Sequence, residues 1–235
     1  MSYKWKETKL TSEKQALATL QELHGNRWLC RGQSKRYNGH LVPLIDRNHR
    51  QKYSRIKKLS LERQSINLFR ATARFFVDQG ERGALTDDII ALMVLRHYGV
   101  PTRLLDWSVS PWVAAYFATQ CNDNENGYIW SFDEPKYEIE GRKQWEKWPK
   151  TCHHGDPDKF DAKLTAFDIK EPYDWFVCGF YPAGFPRQNV QAGAYSLTAR
   201  FGRDHAEKIA DLLGDSSCYH LYIISAKLKP RLRTL

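Results

Sequence analysis

Five polar residues that could do chemistry are dispersed along the sequence, each near the predicted end of a helix or strand, beside a glycine or an aromatic residue. They are Arg31, His97, Tyr98, Asp106 and Gln191. An arginine donates in a fixed fork to a phosphate or a carboxylate, and a carboxylate or an imidazole can take up a proton. Such a set is typical of a cleft built from several strands, and equally of a buried hydrogen-bonded network that stabilises the fold. The residue types alone leave both interpretations open.

Residues 87–118, DDIIALMVLRHYGVPTRLLDWSVSPWVAAYFA, are predicted to position three of the five. The pattern predicts a helix that ends at Gly99, a strand over 102–107 and a buried helix that begins at Ser110. Alternation along the strand places Asp106 on the same face as a leucine. We therefore expect a buried or half-buried carboxylate that must find a hydrogen-bond donor.

The order of the other elements predicts the fold class. Helices dominate the early chain and strands the late chain, without a repeated strand–helix–strand spacing, which favours an α+β fold with a mixed or antiparallel central sheet and an N-terminal helical part. We expect one domain over 1–235, in which the charged, glycine- and proline-interrupted residues 134–165 form an insertion or long loop. Further helices are predicted over 12–25, 54–79 and 204–213, and further strands over 27–31, 127–132, 173–180, 192–197 and 219–228.

The charge of the chain indicates an anionic partner. Lys and Arg outnumber Asp and Glu by 36 to 27 among 235 residues, which gives a formal charge of +9. RNA or DNA fits this charge, and so does an acidic antitoxin-like protein. The basic side of the predicted helix over 54–79 is typical of a solvated face or of a surface that follows phosphates. The 8 Trp and 12 Tyr include rings that could stack on a ligand.

The cysteines and the apolar segments indicate a cytoplasmic protein without a membrane partner. The five cysteines are scattered and form no CxxC pair, so no disulfide framework is expected. The first ten residues lack the apolar core of a signal peptide, and no apolar run could span a bilayer. We expect no metal, because the adjacent histidines of the cluster over 152–158 are poorly placed to share one ion.

Common catalytic motifs are missing from the sequence. It contains no GxxxxGK[ST], GxGxxG, HExxH or GxSxG motif. These absences argue against a P-loop NTPase, a Rossmann enzyme, a zinc protease of that type and a serine hydrolase. Less common kinds of active site remain open.

Several segments together resemble the FRG domain, a family named for an aromatic-Arg-Gly motif. The similarity extends over about residues 27–228, and HYGVPTRLLDWS is its most specific part. Two residues depart from the family pattern: Cys30 replaces the usual aromatic before Arg-Gly, and Arg96 replaces a glutamine that commonly precedes His-Tyr-Gly. The similar segments are WLCRGQS, LVPLIDR, LRHYGVPTRLLDWSVSPWVAAYFA, GYIWSFDEP and PRQNVQAGAYSL.

The resemblance implies an arrangement similar to that of ADP-ribosyltransferases, with a split central sheet and NAD as a substrate. It implies that Arg31 holds the phosphates or a ribose, that His97 and Tyr98 line the nicotinamide cleft, and that Gln191 lies near the late-strand catalytic position. Because Gln191 cannot act as a base, Asp106 or His97 would supply one. The cofactor-binding residues expected from the resemblance are Arg31, Gly32, Gln33, Arg103 and Ser108.

These observations lead to three functional hypotheses. The first is an NAD-dependent ADP-ribosyltransferase-like toxin or antiviral (phage-defence) effector, which modifies nucleic acid and is held in check by an antitoxin. The second is a non-catalytic module that binds or senses nucleic acid through the basic helix and exposed aromatic residues. The third is a metal-dependent nuclease built on Asp106, Asp133 and His97, whose spacing does not compel a metal site.

Overall fold

A computed structural model describes residues 5–25, 27–37, 41–73, 79–146, 166–169, 174–179 and 193–234. Within these ranges, seven strands form one sheet. They are β1 (Lys6–Leu10), β2 (Trp28–Gln33), β3 (Leu105–Ser108), β4 (Gly127–Asp133), β5 (Phe176–Gly179), β6 (Gly193–Thr198) and β7 (Tyr219–Ile224). Their order across the sheet is β1-β7-β4-β2-β3-β6-β5. The β1–β7 pair is parallel and the other pairs are antiparallel, so the sheet is mixed.

Seven α-helices accompany the sheet in the described residues, and the predicted α+β class with a mixed sheet is confirmed. They are α1 (Glu13–Leu23), α2 (Arg55–Ala73), α3 (Asp88–His97), α4 (Pro111–Thr119), α5 (Glu134–Trp145), α6 (His205–Leu213) and α7 (Lys229–Leu232). None of them has the length and the apolar sequence that crossing a bilayer requires.

Side-chain caps explain where the helices around the predicted cleft begin. The Asp87 carboxylate accepts hydrogen bonds from the amides of Ile89 and Ile90, which satisfies two free N–H groups at the start of α3. Ser110 caps α4, and Pro111 occupies its first turn, where a missing N–H is not needed. Helix α4 therefore begins where the sequence predicts.

The two faces of the central sheet pack against different helices. Leu29 and Cys30 are neighbours on β2, so their side chains point to opposite faces. Leu29 belongs to the cluster that includes Tyr137 of α5 and Ile209 of α6, whereas Cys30 packs with α1 and α4. A third cluster joins α2 and α3 to β5 and β6.

Two glycines allow α4 to lie directly on the sheet. A Cβ built on Gly32 of β2 would lie 1.9 Å from the Ala114 carbonyl oxygen, and one on Gly127 of β4 would lie 2.4 Å from that of Ala118. Any larger residue at either position would push the helix away. The Arg-Gly pair in β2 therefore fixes how closely α4 approaches the strand that carries Arg31.

Some elements differ from the sequence predictions. The segment predicted as a long loop over 134–165 begins as helix α5, because Asp133 caps it and Tyr137 is buried in the core. The predicted helix over 54–79 is described as helical only to Ala73, and residues 74–78 lie outside the described ranges. Strand β1 is not predicted by the sequence at all.

Candidate active site

Strands β2 and β3 separate at the middle of the sheet, and the Arg31 side chain bridges the gap. The two strands share one registered pair, Cys30 with Ser108, whereas β2 and β4 share six. Beyond that pair, the Arg31 guanidinium donates through Nη1 to the Asp106 backbone carbonyl at 2.5 Å. The Arg31 side chain thus donates to the Asp106 carbonyl, which would accept from a backbone amide if the two strands stayed paired.

A pocket of about 260 Å³ opens at this separation. Its walls come from β2, the end of α3, β3 and the first two turns of α4. All of these elements are fixed by the buried core, and α4 is held by Gly32 as described above. The lining residues are Cys30, Arg31, Gly32, Arg96, His97, Gly99, Asp106, Trp107, Ser108, Val113, Ala114 and Phe117.

The electrostatic centre of the pocket is a carboxylate between two arginines. Asp106 Oδ2 lies 2.8 Å from Nη2 of Arg96 and 3.6 Å from Nη1 of Arg31. The Asp106 side chain is 40% exposed, whereas that of Arg31 is 10% exposed. The predicted half-buried carboxylate with a donor is therefore confirmed.

Positive charge exceeds negative charge around Arg31. Burial lowers the pKa of Arg31 to about 10; Asp106 acts in the opposite direction, and Arg96 and Arg47 lower it further. Arg47 stacks on Tyr37, with its guanidinium carbon 4.0 Å from the ring centroid. Three arginines facing one carboxylate leave a net charge of about +2, which suits a phosphate or pyrophosphate group.

Two arginine nitrogens in the pocket wall have no acceptor in the part of the chain that the structure describes. The Nε atoms of Arg31 and Arg96 are buried and make no hydrogen bond among the described residues. Leaving a buried donor unsatisfied costs about 1–3 kcal/mol. A bound anion that reorients either guanidinium would recover part of that free energy.

His97 forms a hydrogen bond with Tyr195, a residue that the sequence does not identify as part of the site. Its Nε2 atom lies 3.0 Å from the Tyr195 hydroxyl, and Tyr195 pairs with Asp106 across β3 and β6. Tyr195 is 3% exposed, so its hydroxyl provides a fixed partner for the imidazole. This contact orients a possible acid or base at the pocket wall.

A buried chain of hydrogen bonds fixes Trp107, which lines the pocket. The indole Nε1 donates to Ser196 Oγ at 2.8 Å, and that hydroxyl lies 2.7 Å from Nδ1 of His205. Burial, together with the positive charge of Arg31, lowers the pKa of His205 to about 3. His205 is therefore neutral at pH 7, and its Nδ1 shares a hydrogen bond with the Ser196 hydroxyl.

Residues 26–127 match the model of the FRG domain. This part of the chain is similar to an FRG domain. All twelve residues that line the pocket fall within it. Comparisons with curated proteins and with solved structures found no match.

Several site residues predicted from the sequence lie in the pocket. Arg31, Gly32, His97, Asp106 and Ser108 all line it. The structure thus brings together five positions that span 78 residues of sequence. Arg96, one of the two departures from the family pattern, joins them through its contact with Asp106.

Other predicted site residues do not line the pocket. The Tyr98 side chain is 70% exposed and lies at the end of α3 beside the pocket. Gln33 is buried further along β2, where its Oε1 accepts from Trp130 Nε1 at 2.9 Å. Gln191 lies outside the described residues.

Arg103 has a structural environment. It is fully buried, and its Nε lies 2.9 Å from Oε2 of Glu62, which is also fully buried. The Arg103 guanidinium carbon is 4.1 Å from the Phe201 ring centroid, and Nη1 donates to the Ala166 carbonyl at 2.6 Å. These contacts join α2 to the strand region, so Arg103 is part of the scaffold behind the site.

Basic residues of α2 also make internal contacts. Lys58 is buried and lies 2.6 Å from Asp46, Arg63 donates to the Phe167 carbonyl, and Arg70 donates to the Ala84 carbonyl. These bonds fasten neighbouring segments to the helix. The described part of the basic helix face therefore serves packing to a large extent, which weakens its interpretation as a surface that follows phosphates.

Proposed function

We propose that this protein is an NAD-dependent ADP-ribosyltransferase-like enzyme that acts as a toxin or phage-defence effector. The observation that carries the proposal is the arginine–carboxylate cluster in the pocket where β2 and β3 separate. Arg31 and Arg96 would bind the pyrophosphate of NAD, whose two negative charges match the net charge of about +2 that Arg31, Arg96, Arg47 and Asp106 carry together. Trp107 offers an apolar wall, and Asp106 is the carboxylate that faces the ligand.

In the proposed reaction, a nucleophile of the acceptor bonds to C1′ of the ribose that carries nicotinamide, as the bond from C1′ to the nicotinamide nitrogen breaks. The bond electrons leave with nicotinamide, which departs neutral because its ring nitrogen is cationic in NAD. The proton of the acceptor passes to Asp106 or His97. Asp106 also stabilises the positive charge that develops on the ribose.

We propose nucleic acid as the acceptor and the cytoplasm as the site of action. The charge of +9 favours an anionic acceptor. The four described cysteines, at positions 30, 121, 178 and 218, are free thiols, which fits a reducing compartment. An antitoxin protein that covers the pocket would restrain such an enzyme.

The direct test uses purified protein with NAD labelled in its ADP-ribose part, in separate reactions with RNA, DNA and protein. We expect release of nicotinamide and transfer of label to one of the pools. Arg31→Ala and Arg96→Ala should each reduce release at least 100-fold, because each removes a cation that binds the pyrophosphate. Arg36→Ala is the matched control, since Arg36 is half-exposed and pairs with Glu7 away from the pocket.

Arg96→Ala distinguishes a loss of activity from a loss of folding. Arg31 donates to the Asp106 backbone carbonyl, so replacing Arg31 can disturb the sheet. Arg96 contacts the Asp106 carboxylate and not its backbone. A folded Arg96→Ala protein with unchanged nicotinamide release contradicts the assignment of the pocket. Absence of both release and transfer with the unmodified protein contradicts the proposed reaction.

A non-catalytic nucleic-acid-binding module is the second candidate, and exposed aromatic residues on α4 favour it. This candidate predicts that the protein binds nucleic acid without turning over NAD, and that Arg31→Ala binds nucleic acid as well as the unmodified protein does. A nuclease has less support, because Asp106 faces cationic arginines that disfavour Mg²⁺. Asp133, its other proposed ligand, caps α5 and lies 3.0 Å from Arg27.

A further inference from the structure

Helix α4 presents aromatic rings to solvent at the rim of the pocket. Trp112, Tyr116 and Phe117 are 39%, 54% and 36% exposed. The rings of Tyr116 and Phe117 lie 5.5 Å apart in an edge-to-face arrangement, and Phe117 also lines the pocket. The aromatic face is therefore continuous with the arginine–carboxylate cluster.

The helix that carries these rings is a rigid support. Gly32 and Gly127 bring its backbone into contact with β2 and β4, and Ala114 and Ala118 are buried beneath it. Trp112 and Tyr116 are four residues apart, so their attachment points are separated by about 6 Å along the helix axis. Rings held at fixed spacing can each stack on a base with little loss of side-chain entropy.

Charge near the aromatic face selects the kind of partner. Helix α4 has no charged residue of its own, whereas Arg31 and Arg96 lie in the adjoining pocket and Arg231 is exposed on α7, which packs against α4. Aromatic platforms beside a cationic groove are the usual way in which proteins bind single-stranded nucleic acid. A purely apolar partner would match the rings but not the arginines.

We infer that the α4 face formed by Trp112, Tyr116 and Phe117 binds the bases of a single-stranded nucleic acid next to the pocket. This inference rests on the proposed function, because it assigns the acceptor and its binding surface. The bases stack on the rings and the backbone phosphates face Arg231, which leaves Arg31 and Arg96 to the pyrophosphate of NAD. A nucleotide of the bound strand is thereby placed beside Asp106.

The test measures binding of fluorescent 12-nucleotide oligo-dT and oligo-U by anisotropy, without NAD. Loss of one stacking ring is worth about 1–3 kcal/mol per base, or about five- to 150-fold in affinity. Because these rings are only partly exposed, we expect about tenfold weaker binding for Trp112→Ala and for Tyr116→Ala. Tyr116→Phe keeps the ring and should bind as the unmodified protein does.

Ile139→Ala is the control for loss of an exposed apolar side chain. Ile139 is 52% exposed on α5, whose core cluster is on the other side of the sheet from that of α4. Its replacement should leave oligonucleotide affinity unchanged. The affinity of the unmodified protein should also fall steeply as salt is raised.

Binding and turnover distinguish this inference from the proposed function. Oligonucleotide binding that weakens in Tyr116→Ala supports the inference even if NAD is not consumed. The inference is overturned if the protein turns over NAD but binds no oligonucleotide. It is also overturned if the protein turns over NAD and Trp112→Ala, Tyr116→Ala and the unmodified protein bind the oligonucleotide equally. A dimer in sedimentation that dissociates in Tyr116→Ala also overturns it, because the face would then join two copies of the chain.

Discussion

Replacing Asp106 by Asn tests whether the carboxylate occupies the place of a ligand anion. In the structure, Asp106 lies 2.8 Å from Arg96 and 3.6 Å from Arg31, so it competes with any phosphate for these guanidiniums. Asn has nearly the same size but no charge. We therefore expect Asp106→Asn to bind inorganic pyrophosphate more tightly and to turn over NAD more slowly.

The magnitude follows from the charge that is removed. Two anions on either side of a guanidinium, about 6 Å apart, repel by about 0.7 kcal/mol at the dielectric constant of water and about 2.8 kcal/mol at an effective value of 20. Because the Asp106 side chain is 40% exposed, the lower half of this range applies. About 1–1.4 kcal/mol corresponds to roughly five- to tenfold tighter binding.

Isothermal titration calorimetry with pyrophosphate at low salt measures the first effect, and nicotinamide release measures the second. Turnover should fall about 100-fold or more, as is usual when a group that stabilises developing charge is lost. Asp88→Asn is the matched control, since Asp88 lies 2.8 Å from Arg70 and is also half-exposed, at the opposite end of α3 from His97. Weaker pyrophosphate binding by Asp106→Asn, or equal shifts in the two variants, would refute the reasoning.

Three further variants test the scaffold. Gly32→Ala should destabilise the protein by about 3 kcal/mol in urea unfolding, since its Cβ would lie 1.9 Å from the Ala114 carbonyl oxygen; an unchanged midpoint contradicts the packing argument. Glu62→Gln should lower the free energy of unfolding by about 3–5 kcal/mol, because it leaves the Arg103 charge buried without a counter-ion; a loss below 1 kcal/mol contradicts this. The pKa of His205 is about 3 in the folded protein and near 6.5 in the unfolded chain, so between these pH values only the unfolded chain binds the proton. The free energy of unfolding should therefore fall by about 2 kcal/mol from pH 7 to pH 5. An equal fall in His205→Asn would contradict the assignment of this effect to His205.

The sequence predicts well those parts of the site that depend on local signals. Ser110 followed by Pro111 marks the start of α4, and alternation along β3 predicts the half-buried Asp106. Such features depend on neighbours within a few residues. The FRG resemblance adds Arg31, which no local pattern distinguishes from an ordinary arginine, and the structure places it against Asp106.

Residues whose roles depend on distant partners could not be assigned from the sequence. Arg103 is a polar residue at an element junction, and only the approach of Glu62 from 41 positions earlier makes it structural. Tyr195 is one aromatic residue in a buried strand, and its contact with His97 spans 98 positions. Neither partner leaves a periodic signal near the residue that it contacts.

Strand β1 shows a related difficulty. Its sequence, KETKL, is largely polar, with Leu10 as its one fully buried side chain. It is an edge strand, and its extended conformation is stabilised by parallel pairing with β7, more than 200 residues away. Hydrogen bonding to a distant strand gives a polar segment a structure that its own residue pattern does not predict.

The position of β7 between β1 and β4 has a consequence for biosynthesis. Eighty-five residues separate Asp133, where β4 ends, from Tyr219, where β7 begins. At about 5–20 residues per second, a ribosome needs roughly 4–17 s to make them, and during that time β4 has an unpaired edge. The nascent chain therefore contains every residue that lines the pocket well before the sheet that supports them is complete. A chaperone that recognises the unpaired β4 edge could bind the chain before the sheet is complete.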